Sequence, residues 1–145
     1  IAARVMNFAL EVLEPKMVKG DIQSKGKIVL GTVAGDLHDI GKNLVGIMFK
    51  GAGYEVIDAG VDVSLEKFLS IAKENNADII GLSALLTTTL GNMRDIVKAV
   101  KESDLQIKVI IGGAPVTEDF ANQILADGFA ANAASAVNVA EKLLA

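Results

Sequence analysis

The residues best suited to chemistry are Asp36 and His38, in the segment Gly35–Gly41. His38 is the only histidine among the 145 residues. A carboxylate two residues before a histidine can accept the proton on one ring nitrogen, which leaves the other nitrogen free as an acceptor or metal ligand. Because the chain has no cysteine, one histidine cannot build a tetrahedral zinc site. A metal bound here would have to bring most of its own ligands, as a tetrapyrrole-like macrocycle does.

This segment joins a predicted strand, 27–34, to a predicted helix, 41–52. The strand is a short apolar run rich in β-branched residues, and the helix has apolar residues at helical spacing. Four more strand–helix pairs are predicted, at 54–58 and 64–75, 78–83 and 90–101, 107–111 and 117–125, and 128–130 and 134–144. Such alternation predicts a parallel sheet covered on both faces. The predicted fold class is α/β, a flavodoxin-like (Rossmann-like), doubly wound, five-stranded parallel sheet.

The first 25 residues differ from this pattern. Apolar residues at helical spacing predict a helix over 2–14, and 16–25 is a polar connector. Because the chain starts at Ile1 and not at Met, we interpret 1–25 as the last helix and linker of a truncated helical domain. A helix that simply packs on the main domain, 26–145, is the alternative.

The composition indicates which classes of binding partner the protein is not expected to have. The net charge is −4, the pI is near 4.9, and no basic stripe is present, which argues against a nucleic-acid partner. The sequence has no secretory signal, and none of its apolar runs approaches the roughly 18 residues of a membrane span. We therefore expect a cytoplasmic protein with no membrane partner.

Polar residues and glycines follow the first, third and fourth predicted strands. A doubly wound sheet of this kind binds its ligand at the carboxyl ends of the strands, between strands one and three. The glycine pair Gly112-Gly113, together with Gly41, favours a narrow slot for a long, flat ligand, although turn geometry alone explains any single glycine. A loop histidine without function is the corresponding alternative for His38.

The sequence lacks the motifs that identify several other classes of binding or catalytic site. Neither the phosphate-loop sequence G-x-x-x-x-G-K-S/T nor the dinucleotide fingerprint G-x-G-x-x-G is present. Ser83 stands where a receiver domain has its phosphoacceptor aspartate, and it lies outside the hydrolase pattern G-x-S-x-G.

Three short motifs together carry a family resemblance. Asp36-x-His38-x-x-Gly41, Ser83-x-Leu85 and Gly112-Gly113 resemble the signature of cobalamin-binding domains. The sequences around 36–45 and 81–89 are more similar to corrinoid proteins of methyltransferase systems and to the cobalamin module of methionine synthase than to the mutases. The resemblance covers 27–145, and 1–25 is similar to the end of the helical cap domain that precedes this module.

The resemblance implies roles for individual residues. His38 would be the lower axial ligand to cobalt, Asp36 would hydrogen-bond His38, and Thr89, which matches a serine, would bond Asp36. His38 would displace the cofactor's own base from cobalt, and Ser83 and Thr87 would contact the nucleotide tail that carries this base. The implied cofactor-binding residues are Gly35, Asp36, Leu37, His38, Asp39, Ile40, Gly41, Ser83, Leu85, Thr87, Thr89, Gly112, Gly113, Ala130 and Ala134. His38, Asp36 and Thr89 are the implied catalytic residues, and His38 is the implied metal ligand.

The resemblance also implies a function. The cofactor would be cobalamin or a related cobamide, and the protein would carry a methyl group on cobalt between a donor methyltransferase and an acceptor methyltransferase. A reductive-activation protein is a further expected partner, and the chain alone is not expected to be a complete enzyme. The alternatives are the cobalamin-binding subunit of an adenosylcobalamin-dependent mutase, a corrinoid-binding sensor module, and a flavodoxin-like domain with an unrelated ligand. The helix at 2–14 and the run Thr87-Thr88-Thr89 argue against the mutase.

Overall fold

Strands and helices alternate along the part of the chain that the computed structural model describes, residues 24–145. The helix predicted over 2–14 and most of the connector 16–25 lie outside the described residues. The elements are β1 (Lys27–Val33), α1 (Ile40–Gly51), β2 (Glu55–Val63), α2 (Leu65–Glu74), β3 (Ile79–Ser83), α3 (Leu90–Glu102), β4 (Lys108–Gly112), α4 (Glu118–Gln123), β5 (Gly128–Ala130) and α5 (Ala133–Leu143). A 3₁₀ turn, Thr87–Thr89, leads into α3.

The strands form one parallel sheet in the order β2-β1-β3-β4-β5. This order confirms the predicted flavodoxin-like, doubly wound sheet. The chain leaves β1 toward one face of the sheet and leaves β3 toward the other, because β1 lies between β2 and β3. The two loops therefore diverge and open a crevice at the carboxyl edge.

The helices divide between the two faces of the sheet. Helices α2, α3 and α4 pack on one face, and α1 and α5 pack on the other. Strands β1 and β3 are buried on both faces, which is why their sequences are continuous apolar runs and do not alternate. Within residues 24–145, none of the helices combines the length and the hydrophobicity needed to cross a membrane.

The second strand corrects the sequence-based prediction. It was predicted to end at Asp58, but it continues to Val63. Gly60 and Asp62 have left-handed φ values of 96° and 51°, and the pairing of β1 with β2 slips register along this stretch. Glycine and aspartate are typical of turns, so a search for strand patterns ends where they occur. The bulged pairing of β2 with β1 accommodates both residues within the strand.

Helix ends follow the capping residues closely. The predicted N-cap Ser64 is confirmed, because its hydroxyl accepts a hydrogen bond from the backbone of Lys67. Asn132 caps α5 in a reciprocal capping box that the prediction did not include. Helix α4 is shorter than the predicted 117–125, since Leu125 turns into a left-handed conformation with φ 63°.

Candidate functional site

A buried carboxylate, Asp36, organises the carboxyl edge of the sheet. Its side chain has no solvent exposure. Oδ2 accepts hydrogen bonds from the backbone N–H groups of Leu85 at 2.7 Å and Leu86 at 3.1 Å, and from Oγ1 of Thr89 at 3.2 Å. The loop after β1 is therefore bound to the loop after β3 through one carboxylate.

The other carboxylate oxygen of Asp36 holds the histidine. Oδ1 accepts from the backbone N–H of His38 at 3.1 Å and lies 2.8 Å from its Nδ1. Burial raises the pKa of Asp36, but the hydrogen bonds from Leu85, His38 and Leu86 outweigh burial and hold the pKa of this carboxyl well below its usual range. The group is a carboxylate at neutral pH and can only accept, so Nδ1 of His38 carries the proton.

The geometry leaves the second ring nitrogen of His38 available. In the neutral tautomer fixed by Asp36, Nε2 has an unshared electron pair. The side chain of His38 is 53% exposed, whereas Asp36 beside it is fully buried. The backbone carbonyl of His38 accepts from the hydroxyl of buried Thr32 at 2.7 Å. The imidazole is therefore anchored on one side and accessible on the other, as an axial metal ligand must be.

Large, exposed apolar side chains lie in the two loops that Asp36 joins and at the start of α1. Leu37 and Ile40 are 70% and 77% exposed, and Leu85 and Leu86 are both about two-fifths exposed. An apolar rim of this kind marks a surface that another molecule covers. Gly35 and Asp39 are exposed in the same loop.

An apolar slot opens beside the histidine loop, between α1 and α5 and over the ends of β1, β3 and β4. Its volume is about 480 Å³, within the range of small-molecule sites. Of the residues predicted to bind cofactor, the slot is lined by Gly41, Ser83, Gly112, Gly113 and Ala130. Thr87 and Ala134 are exposed and are not among the lining residues.

The glycines of the slot serve two purposes. A Cβ on Gly112 would lie 3.1 Å from the carbonyl oxygen of Ala130, and one on Gly113, where φ is 131°, would collide with the backbone of Ala84. These two glycines allow backbones to approach each other closely. A Cβ on Gly41 would meet no protein atom within 4 Å, so this wall of the slot faces open space that a ligand can fill.

Sequence reasoning missed several residues of this region. Lys42 is 3% exposed, lines the slot, and its Nζ lies 2.7 Å from Oδ1 of Asp58 and 3.0 Å from Oδ1 of Asn43. Phe49 and Phe129 also line the slot. A polar pair, Lys42-Asn43, inside an otherwise amphipathic helix was the available signal for the first of these. Residues 24–145 contain no group of three or more His, Cys, Asp or Glu side chains suited to hold a bare metal ion.

Comparison with known proteins agrees with this geometry. Residues 26–138 match the sequence profile of the B12 binding domain. Dimethylamine corrinoid protein 1 of Methanosarcina acetivorans is 51% identical over 148 residues, which cover 100% of this chain and 70% of that protein. The structure of a cobalamin-binding protein from Desulfitobacterium hafniense superposes with a TM-score of 0.81 at 43% identity, covering 95% of this chain and 69% of that chain.

A further similar structure comes from a complex. The methanol:cobalamin methyltransferase complex MtaBC of Methanosarcina barkeri contains a chain with a TM-score of 0.79 at 32% identity. The alignment covers 84% of this chain and 47% of that chain. The chain described here therefore belongs to the family of B12-binding domains, together with the corrinoid proteins of methyltransferase systems.

Proposed function

We propose that this chain carries a methyl group on the cobalt of a bound cobamide, between a donor methyltransferase and an acceptor methyltransferase. The single observation that carries the proposal is His38, whose exposed imidazole is held by buried Asp36 with Nε2 open. When bound, the cobamide supplies a nucleophilic cobalt that accepts and releases methyl groups. The protein supplies binding, axial ligation and presentation to partners.

In this proposal His38 would hold the cobalt of the cobamide through Nε2. One imidazole would be sufficient, because a corrin supplies further nitrogen ligands of its own. The carboxylate of Asp36 would fix the tautomer and the orientation of the ring, as partners of metal-bound histidines do. Thr89 and the backbone of Leu85 and Leu86 fix the carboxylate in turn. The catalytic group His38, Asp36 and Thr89 is thus one connected hydrogen-bond network.

The same network would also orient the imidazole independently of the cofactor. Oδ1 of Asp36 contacts Nδ1 of His38 at 2.8 Å, whereas cobalt would be held by the other ring nitrogen, Nε2.

The slot beside the loop would hold the nucleotide tail of the cobamide. The slot is lined mostly by apolar residues and runs between α1 and α5, which suits a flat heterocycle. Ser83 is the predicted tail-contacting residue that lines the slot. Leu37, Ile40, Leu85 and Leu86 form the apolar rim on which the corrin would rest.

The division of the chain belongs to the same proposal. In this proposal residues 26–145 are the cobalamin-binding domain. The methyltransferases and a reductive-activation protein are the proposed partners. The relatives named above, a dimethylamine corrinoid protein and a chain of a methanol:cobalamin methyltransferase complex, support a methyl carrier over a mutase subunit or a sensor.

The proposal is tested by loading the 145-residue chain with hydroxocobalamin, removing free cofactor, and recording the absorption spectrum. We expect the wild type to retain cofactor near one equivalent with a spectrum that changes in His38→Ala. Thr88→Ala, an exposed position three residues beyond Leu85, is the matched control and should behave as wild type. A wild type that retains no cofactor contradicts the proposal, and an unchanged spectrum in His38→Ala contradicts the role of His38.

A further inference from the structure

The loop that carries His38 also forms hydrogen bonds with residues outside the network of His38, Asp36 and Thr89. The backbone N–H of Gly35 donates to Oδ1 of Asp62 at 2.7 Å, and the backbone N–H of Asp62 donates to the carbonyl of Asp36 at 2.9 Å. Asn92, on α3, donates from Nδ2 to the carbonyl of Ala34 at 2.6 Å. Asp62 therefore binds the loop twice, with its side chain and its backbone.

The backbone conformation of Asp62 is uncommon among residues other than glycine, although aspartate adopts it more readily than most. Its φ is 51°, in the left-handed region that non-glycine residues rarely adopt. It lies at the bulged end of β2, where the pairing with β1 slips register. Strained residues of this kind persist where surrounding contacts require them, and they cluster at functional sites. Here the contacts that require the conformation are those to Gly35 and Asp36.

We propose that Asp62 is a positioning residue for His38. This inference rests on the proposed function, in which His38 ligates cobalt. Asp62 fixes the backbone at Gly35 and Asp36, the backbone fixes where Oδ1 of Asp36 lies, and Oδ1 fixes the imidazole. Leu85, Leu86 and Thr89 bind Oδ2 of the Asp36 side chain, whereas Asp62 binds the backbone at Gly35 and Asp36.

The variant Asp62→Gly tests the side chain of Asp62 separately from its left-handed backbone conformation. Glycine adopts positive φ without cost, and it keeps the backbone N–H that binds Asp36. Only the acceptor for Gly35 is lost. Asp62→Asn keeps an oxygen acceptor and tolerates the left-handed conformation, so it should rescue in part. Ser64→Ala, two residues away, removes the N-cap of α2, whose hydroxyl bonds to Lys67 and not to the loop, which makes it the control for general destabilisation.

The first measurement uses the full chain without cofactor. Amide hydrogen exchange at Gly35 should accelerate about tenfold in Asp62→Gly, as expected for loss of a hydrogen bond to a charged group. The long-range ¹H–¹⁵N spectrum of the only imidazole should show a larger share of the Nε2-protonated tautomer. Ser64→Ala should match wild type in both signals, and Asp62→Asn, whose neutral oxygen accepts a weaker hydrogen bond, should lie between wild type and Asp62→Gly. An exchange rate within about twofold of wild type and an unchanged tautomer in Asp62→Gly would overturn the inference.

The second measurement separates this inference from the proposed function. After loading with hydroxocobalamin, the fraction of cobalt ligated by His38 should fall in Asp62→Gly and recover in part in Asp62→Asn. A wild type that fails to retain hydroxocobalamin refutes the proposed function, whatever the exchange data show. A wild type that loads, with equal His38 ligation in Asp62→Gly and Ser64→Ala, refutes the positioning role alone.

Discussion

The two faces of the sheet are packed in different ways. The face under α2, α3 and α4 is filled by large, fully buried side chains, among them Phe68, Met93 and Ile96. The face under α1 and α5 has the smaller buried cluster, and the slot of about 480 Å³ opens beside it. The same central strands, β1 and β3, contribute to both faces.

This difference separates stability from binding. Close packing of large apolar groups is what stabilises a domain, and unfilled space forfeits such contacts. The filled face therefore supplies most of the packing energy, whereas the open face is shaped for a ligand. Substitutions of the same kind should have opposite consequences on the two faces.

The largest effect is expected on the filled face. Phe68→Ala removes a fully buried ring that packs against Gly31, and it should lower the free energy of unfolding by about 3–5 kcal/mol. Urea denaturation measures this loss. Retention of hydroxocobalamin per folded molecule should stay unchanged, and a loss below about 2 kcal/mol would show that the filled face does not dominate stability.

A matched pair of alanine substitutions tests the comparison directly. Ala72→Leu, on α2, overpacks the filled face and should lower the free energy of unfolding by about 1–3 kcal/mol without preventing retention of hydroxocobalamin. Ala133→Leu, at the start of α5, adds atoms at a partly exposed position that lines the slot. It should cost less stability and abolish retention. Equal stability losses, or retention by Ala133→Leu, would mean that the faces do not differ in this way.

Asp36 makes the open face sensitive to acid. Its pKa lies below the ordinary value of 3.8 in the folded protein, so ionised Asp36 stabilises the fold above that pH and the contribution is lost as the pH falls below it. Asp36→Asn should therefore be less stable than wild type at pH 6, with a smaller difference at pH 3. Thermal denaturation measures both, and exposed Asp104→Asn serves as the control. A difference that does not change with pH would contradict the ionised state of Asp36.

The smallest effect is expected at Tyr54, which packs edge-to-face on Phe49 with ring centroids 5.7 Å apart. Burial, together with Glu141, raises the pKa of Tyr54 above its ordinary value of 10.0. Because the folded-state pKa is the higher one, stability is lost as the pH rises above about 10. Tyr54→Phe should change stability at pH 7 by less than about 1 kcal/mol and reduce the loss between pH 9 and 11. An equally steep alkaline loss in Tyr54→Phe would contradict this assignment.

The sequence was sufficient where the interacting residues are close in the chain or the pattern is regular. Continuous apolar runs identified β1 and β3, and the two-residue spacing of Asp36 and His38 predicted a pair that the structure places in hydrogen-bond contact. The end of β2 was missed, since Gly60 and Asp62 resemble a turn. The role of Asp62 depends on its hydrogen bond to Gly35, which lies 27 residues earlier. A pairing between such distant residues cannot be identified from a single sequence. The slot is likewise lined by residues that are far apart in the chain, from Leu30 to Ala136.

The central claim, that His38 ligates cobalt, is tested most directly by electron paramagnetic resonance of the chain loaded with cobalamin in its cobalt(II) form. The unpaired electron couples to the axial nitrogen, which splits each cobalt line into a triplet for ¹⁴N and a doublet for ¹⁵N. Protein uniformly labelled with ¹⁵N and loaded with unlabelled cofactor should give doublets that disappear in His38→Ala. Triplets from the labelled protein would mean that the cofactor's own base remains on cobalt, and the account of this site would be wrong.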